Sequence, residues 1–120
     1  MIDLRKMFRS FKFAFQGIYF LVKNENNARV HLLASFLVVA AGFYYGISAF
    51  EWLIILLFVS SVWASEAFNS AIEKLCDEVD RTQNRQIGMV KDMAAAGVLF
   101  FALGALVAAA IIFLPKILSI

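Results

Sequence analysis

The sequence has little of what marks a water-soluble domain. Asp, Glu, Lys and Arg make up 17% of its 120 residues, against 62% hydrophobic residues and a mean hydropathy of +0.80, whereas soluble domains carry about one-quarter charged residues. A soluble globular fold is excluded. The single cysteine, Cys76, excludes an intrachain disulfide, and the single histidine, His31, has no second His and no Cys near it in the sequence with which to build a transition-metal centre. One proline and six glycines leave no room for a linker, so the chain is expected to form one domain. A net charge of +2 is too small for a nucleic-acid surface, and no nucleic-acid partner is expected. GxxxxGK[ST] and kinase-type glycine loops are both missing, which excludes the conventional phosphate cradles.

What is present is apolar and periodic. Leu4, Met7, Phe8, Phe11, Phe15, Ile18 and Val22 follow helical spacing, while Arg5, Lys6, Arg9 and Lys12 fall mostly on the other side of the wheel. Residues 1–24 are therefore expected to form an amphipathic helix lying in a membrane interface, its basic side toward anionic headgroups. The same charges interrupt any h-region, so no cleavable signal peptide is expected. Three apolar segments follow, "VHLLASFLVVAAGFYYGI", "WLIILLFVSSVWA" and "MAAAGVLFFALGALVAAAIIFLP". They predict transmembrane helices over 29–48, 50–81 and 88–115, the second extending beyond the membrane. The fold class is thus an all-α membrane protein with an interfacial helix and three spans.

Charge distribution orients those spans. Ten of the eleven Lys and Arg residues precede the first span or lie between the second and third, and only Lys116 lies on the other side. The positive-inside rule puts the N-terminus in the cytoplasm and the C-terminus outside, in a bacterial inner membrane. Phe43, Tyr44, Tyr45 and Trp52 suit an aromatic belt at the outer face.

The second span does not end in apolar residues. "SEAFNSAIEKLCDEVD" follows it directly, and on a helix Glu66, Asn69, Glu73, Asp77 and Asp80 fall within an arc of roughly 80°. Trp52 to Glu66 covers roughly 21 Å, which leaves Glu66 at or just inside the far boundary of the hydrocarbon. A carboxylate at that depth must face protein or a wet cavity. Glu25, Asn26 and Asn27 before the first span, and Lys91 and Asp92 before the third, belong at the same level. Clustered carboxylates beside lysine suit Mg²⁺ and phosphate. The implied chemistry is phosphoryl transfer at a membrane surface, with two carboxylates on Mg²⁺ and a third taking the proton of a lipid hydroxyl. Glu66, the deepest charge, is the candidate base.

The stretch "EAFNSAIEKLCD" resembles the signature of the prokaryotic diacylglycerol kinase and undecaprenol kinase family of small membrane lipid kinases: Glu, any, aliphatic, Asn, Ser or Thr, small, aliphatic, Glu, two of any, Val, Asp. Phe68 and Cys76 depart from the pattern and leave its polar groups intact. "KDMAAAGVL" and "NENNARVHL" resemble the family's segments before the third and first spans, and the likeness extends over nearly the whole chain. The resemblance implies Glu66 as general base, Glu25 and Glu73 as Mg²⁺ ligands at the nucleotide, and Asp77, Lys91 and Asp92 as nucleotide-binding. Asn69 and Arg9 are candidates for binding substrate or organising the site. It further implies ATP as phosphoryl donor, a lipid alcohol as acceptor and a homotrimer. "RVHL" and "SAFEWL" resemble members that favour undecaprenol over diacylglycerol. Many members carry a histidine in the loop before Lys-Asp; this chain has "TQNRQIGMVKD", where Gln83, Asn84 or Arg85 stand as substitutes.

A rival reading remains from the residues alone: a non-catalytic bundle or a proton-coupled transporter, with Glu66 as a buried relay or register residue. In either case His31 reads as an interfacial or helix-contact residue, Cys76 as packing, and the Ala and Gly run from Ala94 to Gly104 as a close helix contact.

Overall fold

A computed structural model describes residues 1–82 and 84–119, which form four helices: α1 (Leu4–Asn24), α2 (Asn26–Tyr45), α3 (Ala49–Val79) and α4 (Arg85–Leu118). The last three are long and apolar enough to cross a membrane. Their boundaries follow from local chemistry. Asp3 caps α1 by accepting hydrogen bonds from the amides of Arg5 and Lys6. One extended residue, Glu25, then separates α1 from α2. The Arg29 guanidinium closes this elbow by donating to the carbonyls of Val22 and Lys23, two acceptors that the end of α1 leaves open. Glu25 is thereby held at a corner of the fold.

The turn from α2 to α3 uses the left-handed backbone of Gly46 (φ 59°), which a side chain would disfavour. Ser48 and Glu51 then form a reciprocal capping box that starts α3. At the other end, Asp80 takes the chain out of the helix. Its carboxylate accepts from the amide (2.9 Å) and hydroxyl (2.6 Å) of Thr82, an alternative that competes with continued helix. Asn84 starts α4 by accepting from the amides of Gln86 and Ile87.

Helices α3 and α4 form an antiparallel pair fastened near both ends. Lys116 donates to Glu51 (2.9 Å) at one end, and Lys91 pairs with Asp77 at the other. Between them lies a small core of Ile47, Ile55, Ile112 and Phe113, with Val38, Tyr45 and Trp52 against it. Close approach depends on two glycines. A Cβ on Gly42 would lie 2.5 Å from the Trp52 ring, and one on Gly104 would lie 2.8 Å from Phe58. Most other large apolar side chains, among them Phe36, Leu57, Phe100 and Ile111, are exposed. Such a surface suits lipid or another copy of the chain, since water offers it nothing.

Gly42→Val is expected to destabilise the protein by about 1–3 kcal/mol through overpacking against Trp52. Thermal unfolding in detergent micelles measures this, and an unchanged melting temperature would contradict the packing described.

Candidate active site along helix α3

The stripe on α3 grades from buried to exposed. Glu66 is 1% exposed and Asn69 6%, Glu73 is half-buried, and Asp77 is exposed. One continuous helix thus carries acidic groups from an apolar layer out to water, as the spacing predicted. Cys76 is buried on the same helix, consistent with a packing role.

Around Glu66 the polar contacts are few. The Ser70 hydroxyl donates to Oε1 at 3.5 Å, one turn further along α3. Nε2 of His31, from α2, lies 3.5 Å from Oε2. Among the described residues neither Oε2 nor that ring nitrogen has a well-formed hydrogen bond. An isolated carboxylate in hydrocarbon costs several kcal/mol, so this enclosure is a strong constraint on the helix pair. Next along the stripe, the Asn69 amide donates to Glu73 Oε1 (3.4 Å), and its own Oδ1 is buried with no hydrogen-bond partner among the described residues.

Further out the groups are paired and wet. Glu25, held at the α1–α2 elbow, lies 3.8 Å from Lys74, whose ammonium sits 4.5 Å from the centre of the Phe20 ring. Asp77 and Lys91 join α3 to α4 beside an open pocket of about 460 Å³ that is also lined by Asp80, Arg81, Asn84 and Arg85. This mixture of carboxylates and fixed cations suits a polyanion accompanied by a metal ion. A second cavity, about 300 Å³ and mostly apolar, lies between α1 and α3 against Ala14, Gly17, Ser70 and Lys74.

The expected residues are therefore brought together in part. Asn69 and Glu73 are hydrogen-bonded to each other, Glu66 lies on the same face of α3 with its own contacts to Ser70 and His31, and Asp77 and Lys91 form a contact across helices. Asp92 and Arg9 are exposed, without an ion pair among the described residues. Asn84 caps α4, Arg85 lines the open pocket, and Gln83 lies outside the described residues. His31 was read as a helix-contact residue and is one, but its contact is with the buried acid itself. Its depth, about one turn into α2 and so level with an acid expected at the boundary of the hydrocarbon, is the signal that links the two.

For Mg²⁺, the donor chemistry fits. Glu25, Glu73 and the unpartnered Asn69 Oδ1 are hard oxygens of the kind that ion prefers. No group of three or more His, Cys, Asp or Glu side chains gathers at metal-binding distance among the described residues.

Residues 12–113 match the sequence pattern of the prokaryotic diacylglycerol kinase family. The chain belongs to that family. It is accordingly a membrane lipid kinase by descent, and the match runs from α1 through nearly all of α4. The undecaprenol kinase of Bacillus subtilis (strain 168) is 33% identical over 115 residues, covering 96% of this chain and 94% of that protein. The diacylglycerol kinase of Synechocystis sp. (strain ATCC 27184 / PCC 6803 / Kazusa) is 27% identical over 112 residues, 92% of this chain and 64% of the relative. That of Haemophilus influenzae (strain ATCC 51907 / DSM 11121 / KW20 / Rd) is 29% identical over 95 residues, 79% of this chain and 80% of the relative.

The rim of the site gives a pH prediction. Hydrogen bonds from the Thr82 hydroxyl, the Thr82 amide and the Asn84 side chain, in that order, hold the Asp80 carboxyl below its ordinary range. The turn is therefore strongest above the unfolded value of about 3.9 and weakens as pH falls through the lower folded value. In an NMR titration the Thr82 amide should shift with a midpoint below that of a free aspartate, and the shift should vanish in Asp80→Asn. A midpoint at or above the free value would contradict this account of the turn.

Proposed function

We propose that this protein transfers the γ-phosphoryl group of ATP to the hydroxyl of a membrane lipid alcohol, with undecaprenol preferred over diacylglycerol. The observation that carries the reading is the stripe itself, with a fully enclosed carboxylate at its apolar end and the paired Asp77 and Lys91 at its wet end. A lipid hydroxyl reaches the interface from the bilayer, a nucleotide arrives from water, and this stripe spans the two. Family membership supports the kinase class. The acceptor preference draws on the 33% identical relative being an undecaprenol kinase, while the 27% and 29% identical relatives are diacylglycerol kinases.

In this reading Glu66 takes the proton of the acceptor hydroxyl as its oxygen attacks the γ-phosphorus. The bond to the β,γ-bridging oxygen breaks, and ADP leaves with that electron pair. Asn69 holds Glu73 in place, and Lys91, positioned by Asp77, offsets charge on the phosphates. Glu25 and Glu73 would hold Mg²⁺, which supplies further positive charge at the nucleotide. Asp92 completes the nucleotide side, and Arg9 meets the lipid headgroup from α1. The helix α1 lies in the interface, and the three membrane helices occupy about residues 29–48, 50–81 and 88–115, the second extending beyond the bilayer into the cytoplasm. The protein sits in a bacterial inner membrane with its N-terminus cytoplasmic and its C-terminus outside, consistent with its Lys and Arg distribution. A homotrimer accounts for the broad apolar surface and the small residues of α4.

Purified protein in lipid should transfer labelled phosphate from ATP to undecaprenol faster than to diacylglycerol or ceramide, and only with Mg²⁺. Glu66→Gln should lower transfer by about 10²–10⁴-fold, the range for loss of a general base, and Glu73→Gln should abolish Mg²⁺ stimulation. Transfer that is unchanged in Glu66→Gln would overturn the assignment of the base.

A further inference from the structure

Two complementary polar atoms face each other in an otherwise apolar layer. Oε2 of Glu66 and Nε2 of His31 are both buried, lie 3.5 Å apart, and have no other hydrogen-bond partner among the described residues. His31 is the one basic side chain within 4.0 Å of Glu66 among those residues. An imidazole N–H is a donor and a carboxylate oxygen an acceptor, so a small closing movement makes the bond. We infer that His31 is the positioning residue of Glu66: its Nε2–H fixes the orientation of the carboxylate that receives the hydroxyl proton. The inference rests on the reading of Glu66 as base and adds a residue that the signature on α3 does not contain.

The surroundings hold His31 in the register this requires. The Ser35 hydroxyl donates to the His31 carbonyl at 2.6 Å and accepts from the Trp63 indole N–H at 3.0 Å. Ser35 lies one turn after His31 on α2, and Trp63 lies about one turn before Glu66 on α3. This bridge therefore ties the two helices one turn away from the His31–Glu66 pair and sets their relative height. With Ser70 3.5 Å from Oε1 and His31 3.5 Å from Oε2, closing the second contact would hold the carboxylate at both oxygens, as a base in a fixed attack geometry requires. Tethering of this kind acts on the transition state and leaves ground-state binding of either substrate largely unchanged.

The test compares His31→Leu, which removes the donor, with His31→Gln, whose side-chain amide keeps one, in the full-length protein in lipid bilayers. Wild type and Glu66→Gln are measured alongside, as kcat, KM for ATP, KM for lipid, and melting temperature. His31→Leu should lower kcat about 10–100-fold, the scale of a misplaced catalytic group, with both KM values near wild type. His31→Gln should restore most of kcat, and the two variants should melt alike. If His31→Leu does not assemble, Trp63→Phe decides instead: a fall in kcat at constant KM supports the inference, and an unchanged kcat overturns it. Equal kcat loss in both His31 variants with matching loss of melting temperature would make the pair a helix contact only, and overturn the inference. An active wild type with inactive Glu66→Gln and unaffected His31→Leu would overturn it while leaving the kinase reading intact. A wild type that phosphorylates no lipid alcohol would overturn both.

Discussion

The placement of one carboxylate in an apolar layer sets the terms for the rest of the molecule. Glu66 is almost wholly enclosed, and a carboxylate facing lipid at such a depth costs a few kcal/mol or more. The chain meets this with three devices. Helix α3 runs unbroken from Ala49 to Val79, so the acid belongs to a stripe that leads to water. Ser70 and His31 approach its two oxygens. The Trp63–Ser35 hydrogen bond then holds α2 against α3 at the height where His31 meets it.

Placing an acid with such care constrains the remaining helices. Because α3 carries the site, α4 is fastened to it near both ends, Glu51 to Lys116 and Asp77 to Lys91, and cannot slide along it. Exposed ion pairs alone contribute little. Their value here is register, with Gly42 under Trp52 and Gly104 under Phe58 allowing the backbones to approach. The α1–α2 elbow, closed by Arg29, holds Glu25 beside Lys74 on α3. The Glu25–Lys74 and Asp77–Lys91 contacts thus bring charged groups from α1–α2 and α4 to the site-bearing end of α3.

Much of this was legible in the sequence because it is local. The spacing of Glu66, Asn69, Glu73, Asp77 and Asp80 defines a face of a helix whatever that helix packs against, and the structure grades that face from buried to exposed. The three apolar helices follow from length and hydropathy. Contacts between helices were less legible. His31 and Glu66 are far apart in the chain, and no periodicity links a lone histidine on one span to an acid on another. The same limit applies to Asp92, which resemblance assigned to the site, and to Arg9, a candidate from the basic side of α1; both lie exposed. For them sequence gives a depth in the membrane without giving a direction.

The central claim is that the Glu66 carboxylate is enclosed by protein, against His31, at the edge of the hydrocarbon. Solid-state NMR of the protein in lipid bilayers, with ¹⁵N-labelled histidine and ¹³C-labelled glutamate, tests it directly. The account predicts a through-space correlation between the His31 ring nitrogen and the Glu66 side-chain carboxyl carbon that disappears in Glu66→Gln or His31→Leu. A Glu66 carboxyl that shows no such correlation and instead couples to lipid acyl protons would contradict it.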